Sequence, residues 1–143
     1  MSRRFCKIRP SFWHSPKVLD MDAQERLLAI YLMTNPSFQM VGIYHIPKVL
    51  MSAHTGLNEE SIEECLASLE DLEFLQYDHD RQVVWVVDMA LSQIADNPNT
   101  NQLKGAKNEL ARLWEEEMPF VEDWLERHKR FGFSIAVLEG ADE

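Results

Sequence analysis

The chain contains only two cysteines among its 143 residues, with five glycines and six prolines. Two cysteines cannot form the disulfide framework of a small secreted domain, so we expect reduced thiols and a cytoplasmic protein. No stretch reaches the roughly 20 apolar residues of a membrane span, and the N-terminus lacks the apolar run and cleavage site of a signal peptide. We therefore expect no membrane partner, and short loops between regular elements.

Motifs that carry catalysis or bind metal ions are also missing from the sequence. It has no glycine-rich phosphate loop and no nucleophile elbow. The five histidines are dispersed, and neither cysteine lies at ligand spacing from another metal-binding residue. The segment Asp78-His79-Asp80 combines metal-binding residue types, but a polar turn is the simpler interpretation. We expect no enzyme activity, no metal site and no cofactor.

Negative charge is abundant and unevenly distributed. The formal net charge is −10, yet the first 19 residues hold five of the 14 bases and none of the 24 acids. A basic arm on an acidic body indicates either a local contact with a polyanion or an arm docked on the chain's own acids. The bases of this arm are Arg3, Arg4, Lys7, Arg9 and Lys17.

The apolar pattern predicts one amphipathic helix flanked by two short strands. The helix is predicted to begin after Asp22, because Glu25 completes a capping box, and to end at Asn35-Pro36. Residues 5–9 are predicted as a strand before it, and residues 40–46 as a strand after it. The helix has an apolar face at helical spacing. Its residues are Leu27, Leu28, Tyr31 and Leu32.

Two further helices, residues 47–55 and 59–73, are predicted to be joined by a short glycine-containing turn, which is helix-turn-helix spacing. A hairpin follows, with strands at residues 74–77 and 83–87 around a polar loop. A hairpin directly after the second helix of a helix-turn-helix is a wing. Residues 1–95 are therefore predicted to form an α+β winged helix-turn-helix domain that carries the basic N-terminal arm.

Residues 96–143 are predicted to form a helical extension and tail. After a turn-rich linker, one helix is predicted at residues 102–118 and a second after Pro119, ending at Gly132; no element is predicted for residues 133–138. The apolar residues of both helices are spaced to pack either on the chain itself or on a second copy in a homodimer. The candidate partner contacts are Leu110, Trp114 and Trp124.

Several segments resemble a large group of phage and prophage replication-associated proteins. The matching segments are KIRPSFW at 7–13, LAIYLMTNP at 28–36, MVGIYHIP at 40–47, HTGL at 54–57, and residues 77–89. The resemblance covers about residues 5–110. Such proteins carry N-terminal winged-helix domains related to those of replisome organisers and of primosome components of the helicase-loading type.

The resemblance implies a role in replication initiation or its control, in the bacterial host of a phage or prophage. It implies DNA and replisome proteins, such as a helicase or helicase loader, as partners. Core and turn residues carry the resemblance, so it supports the fold better than the function.

The charges of the predicted domain argue against the usual mode of DNA binding. The second helix of a helix-turn-helix enters the major groove, but the polar face of residues 59–73 is acidic and lacks a base, so the phosphates would repel it. In the predicted wing, Asp78 and Asp80 outweigh Arg81. DNA contact is expected instead through the arm and scattered lysines. The candidate DNA-binding residues are Arg3, Arg4, Lys7, Arg9, Lys17, Lys48, Lys104 and Lys107.

The acidic face also suits a basic protein partner, which it would attract by charge complementarity. Its candidate residues are Glu60, Glu63, Glu64 and Asp71. The sequence thus predicts a phage-type replication accessory or initiation protein that acts as a DNA-associated or replisome-associated adaptor. The alternative is a winged-helix module for protein interaction or dimerisation that does not bind DNA. A transcriptional regulator is a third interpretation.

Overall fold

The computed structural model describes residues 5–94 and 97–140, so Arg3 and Arg4 of the predicted arm lie outside the described residues. Over these ranges the chain is an α+β protein, with eight α-helices and one three-stranded antiparallel sheet. It divides into two compact units between Gln93 and Ile94. The sequence predicted a domain boundary after residue 95.

The first unit holds the sheet and five of the helices. The helices are α1 (Pro16–Leu19), α2 (Ala23–Thr34), α3 (Lys48–Thr55), α4 (Glu59–Asp71) and α5 (Met89–Gln93), and the strands are β1 (Ile43–His45), β2 (Leu75–Asp78) and β3 (Val83–Val86). From α2 to β3 the order is helix, strand, two helices and two strands, as predicted. Strands β1 and β3 and helix α4 are shorter than predicted, and β2 has the predicted length but begins one residue later. Pro47 caps α3 instead of opening it.

The prediction of a strand at residues 5–9 is wrong. This segment has no regular structure and leads into a 3-10 turn at Pro10–His14. At Lys7, its backbone forms hydrogen bonds with a side chain instead of with a neighbouring strand. The Lys7 N–H donates to Gln93 Oε1 at 2.9 Å, and the Lys7 carbonyl accepts from Gln93 Nε2 at 2.8 Å. One glutamine amide therefore satisfies the N–H and the carbonyl of Lys7, which a strand would have paired with its neighbour.

The sheet has the order β1-β3-β2, with Ile43 opposite Trp85 and Leu75 opposite Val86. All four residues of the central strand β3 are buried. Helix α4 packs against α2, α3 and β2. The core of the unit therefore lies between the three longer helices and the sheet.

Local capping sets where the helices of the first unit begin. The Asp22 carboxylate accepts from the Glu25 N–H at 2.8 Å and the Glu25 carboxylate accepts from the Asp22 N–H at 2.8 Å, so the predicted capping box of α2 is confirmed. Asn58 caps α4 by accepting from the Ser61 N–H at 2.8 Å. Caps of this kind each contribute about 1 kcal/mol.

The second unit consists of α6 (Thr100–Glu115), α7 (Val121–Arg127) and α8 (Ile135–Leu138), with a 3-10 turn at Lys129–Phe131. Helix α6 begins earlier than predicted, because Asn99 and Gln102 form a capping box. Helix α8 lies where no element was predicted. Four residues are too few to show a helical period in the sequence. None of the described helices is both long and apolar enough to cross a membrane.

Two glycines of the first unit make a matched test of the turn that leads into β1. Gly42 and Gly56 both have positive φ, +88° and +82°, but a Cβ on Gly42 would lie 2.8 Å from the Val86 carbonyl oxygen, whereas one on Gly56 would meet nothing within 4 Å. Gly42→Ala is expected to destabilise the unit by about 2–4 kcal/mol, from left-handed strain of about 1–2 kcal/mol plus overpacking. Gly56→Ala should show only the strain.

Urea unfolding, followed through the amide signals of β3, measures both free energies of unfolding. Equal losses for the two variants would contradict the close approach of Gly42 to β3.

Candidate functional site

The outer face of α4 is the most strongly charged surface of a described helix in the first unit. Ile62, Leu66 and Leu69 point into the core and are almost completely buried. The opposite face is exposed and, as the sequence predicted, it bears acids and no base. Its residues are Glu60, Glu63, Glu64, Ala67 and Asp71.

Lys48 stands beside this face and is already paired with it. Its Nζ donates to the Glu63 carboxylate and also lies 3.2 Å from Nδ1 of His79, in the turn between β2 and β3. The hydrogen bond from Lys48 lowers the pKa of the Glu63 carboxyl. The sequence predicted Lys48 as a DNA contact, whereas in the fold its charge is directed to an acid of α4.

The turn between β2 and β3 is a polar turn closed by Asp78, whose Oδ1 accepts from the Arg81 N–H at 2.9 Å. His79 packs edge-on against the Tyr77 ring, with ring centroids 5.1 Å apart. Burial raises the pKa of the Tyr77 phenol to about 12, and its hydroxyl donates to the Ile46 carbonyl at 2.7 Å. Over the described ranges, no group of three or more His, Cys, Asp or Glu side chains is placed to hold a metal ion.

The described bases of the arm lie along the first unit's own surface. The Arg9 guanidinium donates to the Leu91 carbonyl at 3.3 Å. The Lys17 ammonium donates to the Glu73 carbonyl at 2.7 Å and lies 3.8 Å from the Asp88 carboxylate. The side chains of Lys7 and Arg9 are nevertheless exposed. The arm is thus docked on the chain itself, through two backbone carbonyls and the Asp88 carboxylate, and it still presents charge to solvent. A contact of the arm with a polyanion stays a prediction.

An apolar surface on α2 and α3 was not predicted from the sequence as a site. Leu27 is 43% exposed, Val49 62% and Leu50 37%. Hydrogen bonds join α2 and α3 next to these side chains. The Tyr31 hydroxyl lies 2.7 Å from His54 Nδ1 and 3.5 Å from the Leu50 carbonyl oxygen. Leu27 was predicted on one apolar face of α2 with Leu28, Tyr31 and Leu32, and of these four residues it is the exposed one. Helix α3 has more apolar residues than one helix face can bury, and this feature of the sequence could have predicted the exposed apolar surface.

In the second unit, Leu110 and Trp124 are 0% exposed. The prediction that they contact a partner is wrong for this fold, because the unit buries them in its own interior. Trp124 packs on the ring of His128, with centroids 4.7 Å apart. Trp114 is only half-buried, donates from Nε1 to the Glu139 carboxylate at 3.0 Å, and lines an open groove of about 1090 Å³. Among the predicted DNA contacts on α6, Lys104 is exposed and Lys107 half-buried.

Neither thiol of the chain forms a disulfide. Burial raises the pKa of Cys65 to about 11, with a further contribution from the carboxylates of Asp22, Glu25 and Glu64. A thiol with so high a pKa is protonated at neutral pH and is a poor nucleophile.

Comparison of the chain with protein-family models, with curated proteins and with solved structures finds no match. A functional assignment therefore depends on the surfaces described above.

Removing the Lys48 charge tests the pairing beside the acidic face. We expect Lys48→Met to raise the pKa of Glu63 toward its ordinary value, because the hydrogen bond and the attraction to the ammonium are both lost. A carboxyl with a lowered pKa in the folded state stabilises the fold above its unfolded pKa. That contribution is lost as the pH falls through the folded pKa, so the variant should lose less stability on acidification.

The measurement is an NMR titration of the side-chain carboxyl carbons. Lys7→Met is the control, since Lys7 is an exposed lysine of the same unit and should leave the Glu63 midpoint unchanged. A Glu63 midpoint that does not move in Lys48→Met would show that the pair does not form in solution.

Proposed function

We propose that this protein is a winged-helix adaptor that binds a protein partner and does not read DNA with α4. The element order supports the fold name: a helix and a strand precede two helices joined by a short turn, and a hairpin follows them. The sheet order β1-β3-β2 places both strands of that hairpin in one sheet with β1. The outer face of α4 is the surface that such a domain would present to a DNA groove.

The observation that carries the proposal is the charge on that face. Glu60, Glu64 and Asp71 are exposed there, and the nearby Lys48 is bound to Glu63. DNA affinity depends on bases that neutralise phosphates and release counterions. A surface that bears only negative charges repels duplex DNA and attracts a basic protein surface.

The biological setting of the proposal comes from the resemblance to phage replication-associated proteins. It places the adaptor in a bacterial cytoplasm, with a replisome protein such as a helicase or helicase loader as partner. The proposed role is to hold that partner, without catalysis. An adaptor requires only a stable folded surface, and the first unit provides two such surfaces, one acidic and one apolar.

A second candidate function is DNA association through the N-terminal arm. The observation that favours it is the exposure of the Lys7 and Arg9 side chains next to the basic segment that contains Arg3 and Arg4. In this mode the arm would follow phosphates or the minor groove, and α4 would face away.

A DNA titration of the full chain separates the two candidates. Fluorescence anisotropy with labelled duplex and single-stranded DNA, over a salt series that begins at low ionic strength, is expected to show no saturable binding. The second candidate would be favoured by binding that weakens with salt and is lost in Lys7→Ala/Arg9→Ala. For duplex DNA, the logarithm of the binding constant then falls by about 0.9 per phosphate contact for each tenfold increase in salt concentration. Duplex binding that is lost instead in Ala67→Asp, on the outer face of α4, would contradict the proposal.

A further inference from the structure

We infer that the apolar surface on α2 and α3 is a docking site for an amphipathic helix of a partner protein, with lysines or arginines along its polar edges. We call this surface the α2–α3 face and define it by its side chains, Leu27, Ile30, Val49, Leu50, Ala53 and His54. The inference rests on the proposed adaptor function and names the chemistry of the partner.

The α2–α3 face is continuous across two helices. Leu27 lies one helical turn before Tyr31, and Leu50 lies one turn before His54, so each leucine shares a helix face with one member of the Tyr31–His54 hydrogen bond. That bond holds the two helices together in the middle of the face. Val49 and Ala53, also one turn apart, extend the surface along α3 and are exposed.

Single exposed apolar side chains are ordinary on any protein, but neighbouring ones on adjacent helices mark interaction sites. The eight residues of α3 extend about 12 Å at 1.5 Å per residue. That length accommodates about two turns of a partner helix laid against it. Binding of an amphipathic helix by an apolar surface between two helices is a common mode of recognition, with anchors at helical spacing.

The charge beside the face selects the partner. Lys48 precedes Val49 and is bound to Glu63, so the side of α3 next to α4 lies beside the acids of α4. Glu59 lies one turn before Glu63 on α4 and is exposed, as is Glu60. A second copy of this chain, with its formal net charge of −10, would bring acids against acids. A helix with basic edges meets both features, because its apolar residues cover the face and its cations lie beside the carboxylates.

Synthetic helices of about four turns, or roughly 14 residues, test the inference on the full chain. The first peptide carries a leucine stripe with lysines along both edges. The second has glutamates in place of the lysines, and the third keeps the lysines but replaces the leucines by glutamines. Fluorescence anisotropy is expected to give an affinity for the first peptide at least ten times higher than for either of the others. Amide NMR shifts are expected to map the contact to α2 and α3.

Variants of the protein locate the site. Leu50→Asp is expected to weaken the leucine–lysine peptide at least tenfold. Leu19→Asp, a matched change at a leucine 61% exposed on α1, should leave it unchanged. Glu59→Gln/Glu60→Gln is expected to weaken binding several-fold and to reduce its salt dependence. Val49→Asp gives a second test on the same face, and the dispersion of the amide spectrum shows that each variant is folded.

The inference would be overturned by no binding of the leucine–lysine peptide, by equal binding of the glutamate or the glutamine version, or by unchanged binding to both Leu50→Asp and Val49→Asp. Lysine-dependent shifts confined to α4 would overturn the apolar site while leaving the proposed adaptor with its acidic surface. Failure of the adaptor proposal itself has a separate sign, which is duplex DNA binding that Ala67→Asp abolishes.

Discussion

Burial of one side of α4 is the constraint on which the rest of the first unit depends. Ile62, Leu66 and Leu69 are almost completely removed from water, where α4 meets α2, α3 and β2. Each such side chain contributes about 1.5–3 kcal/mol, whereas like charges one turn apart on an exposed helix cost only about 0.2–0.5 kcal/mol. The core therefore decides how α4 is oriented, and the acids of its opposite side are turned to solvent despite their mutual repulsion.

That orientation has a direct consequence for function. A helix that presents carboxylates, with Lys48 held by Glu63, lacks the cations that duplex DNA requires. Lys17 is likewise directed to the Glu73 carbonyl and to Asp88. The proposed adaptor function rests on two surfaces of the first unit, the outer face of α4 and the α2–α3 face. Together they are the basis for proposing a basic amphipathic helix as the partner.

The elements with strong local signals were predictable, and those that depend on distant contacts were not. The capping box at Asp22 and the apolar stripe of α4 are local patterns, and both are present in the fold. The segment at residues 5–9 has the composition of a strand, but its backbone bonds to Gln93, 86 positions away from Lys7. Helix α8 is too short for periodicity to show, and it was missed for that reason.

The sequence by itself determined the acidic sign of the α4 face, because helical spacing separates its carboxylates from Ile62, Leu66 and Leu69. It also determined the order of elements from α2 to β3. Only the tertiary structure decided which lysines are paired and which apolar residues stay outside. Lys48 meets Glu63, Leu110 and Trp124 are buried, and Leu27 and Leu50 are exposed. Those outcomes depend on which elements pack against each other. The spacing of residues within one segment does not show which other segments lie next to it in the folded chain.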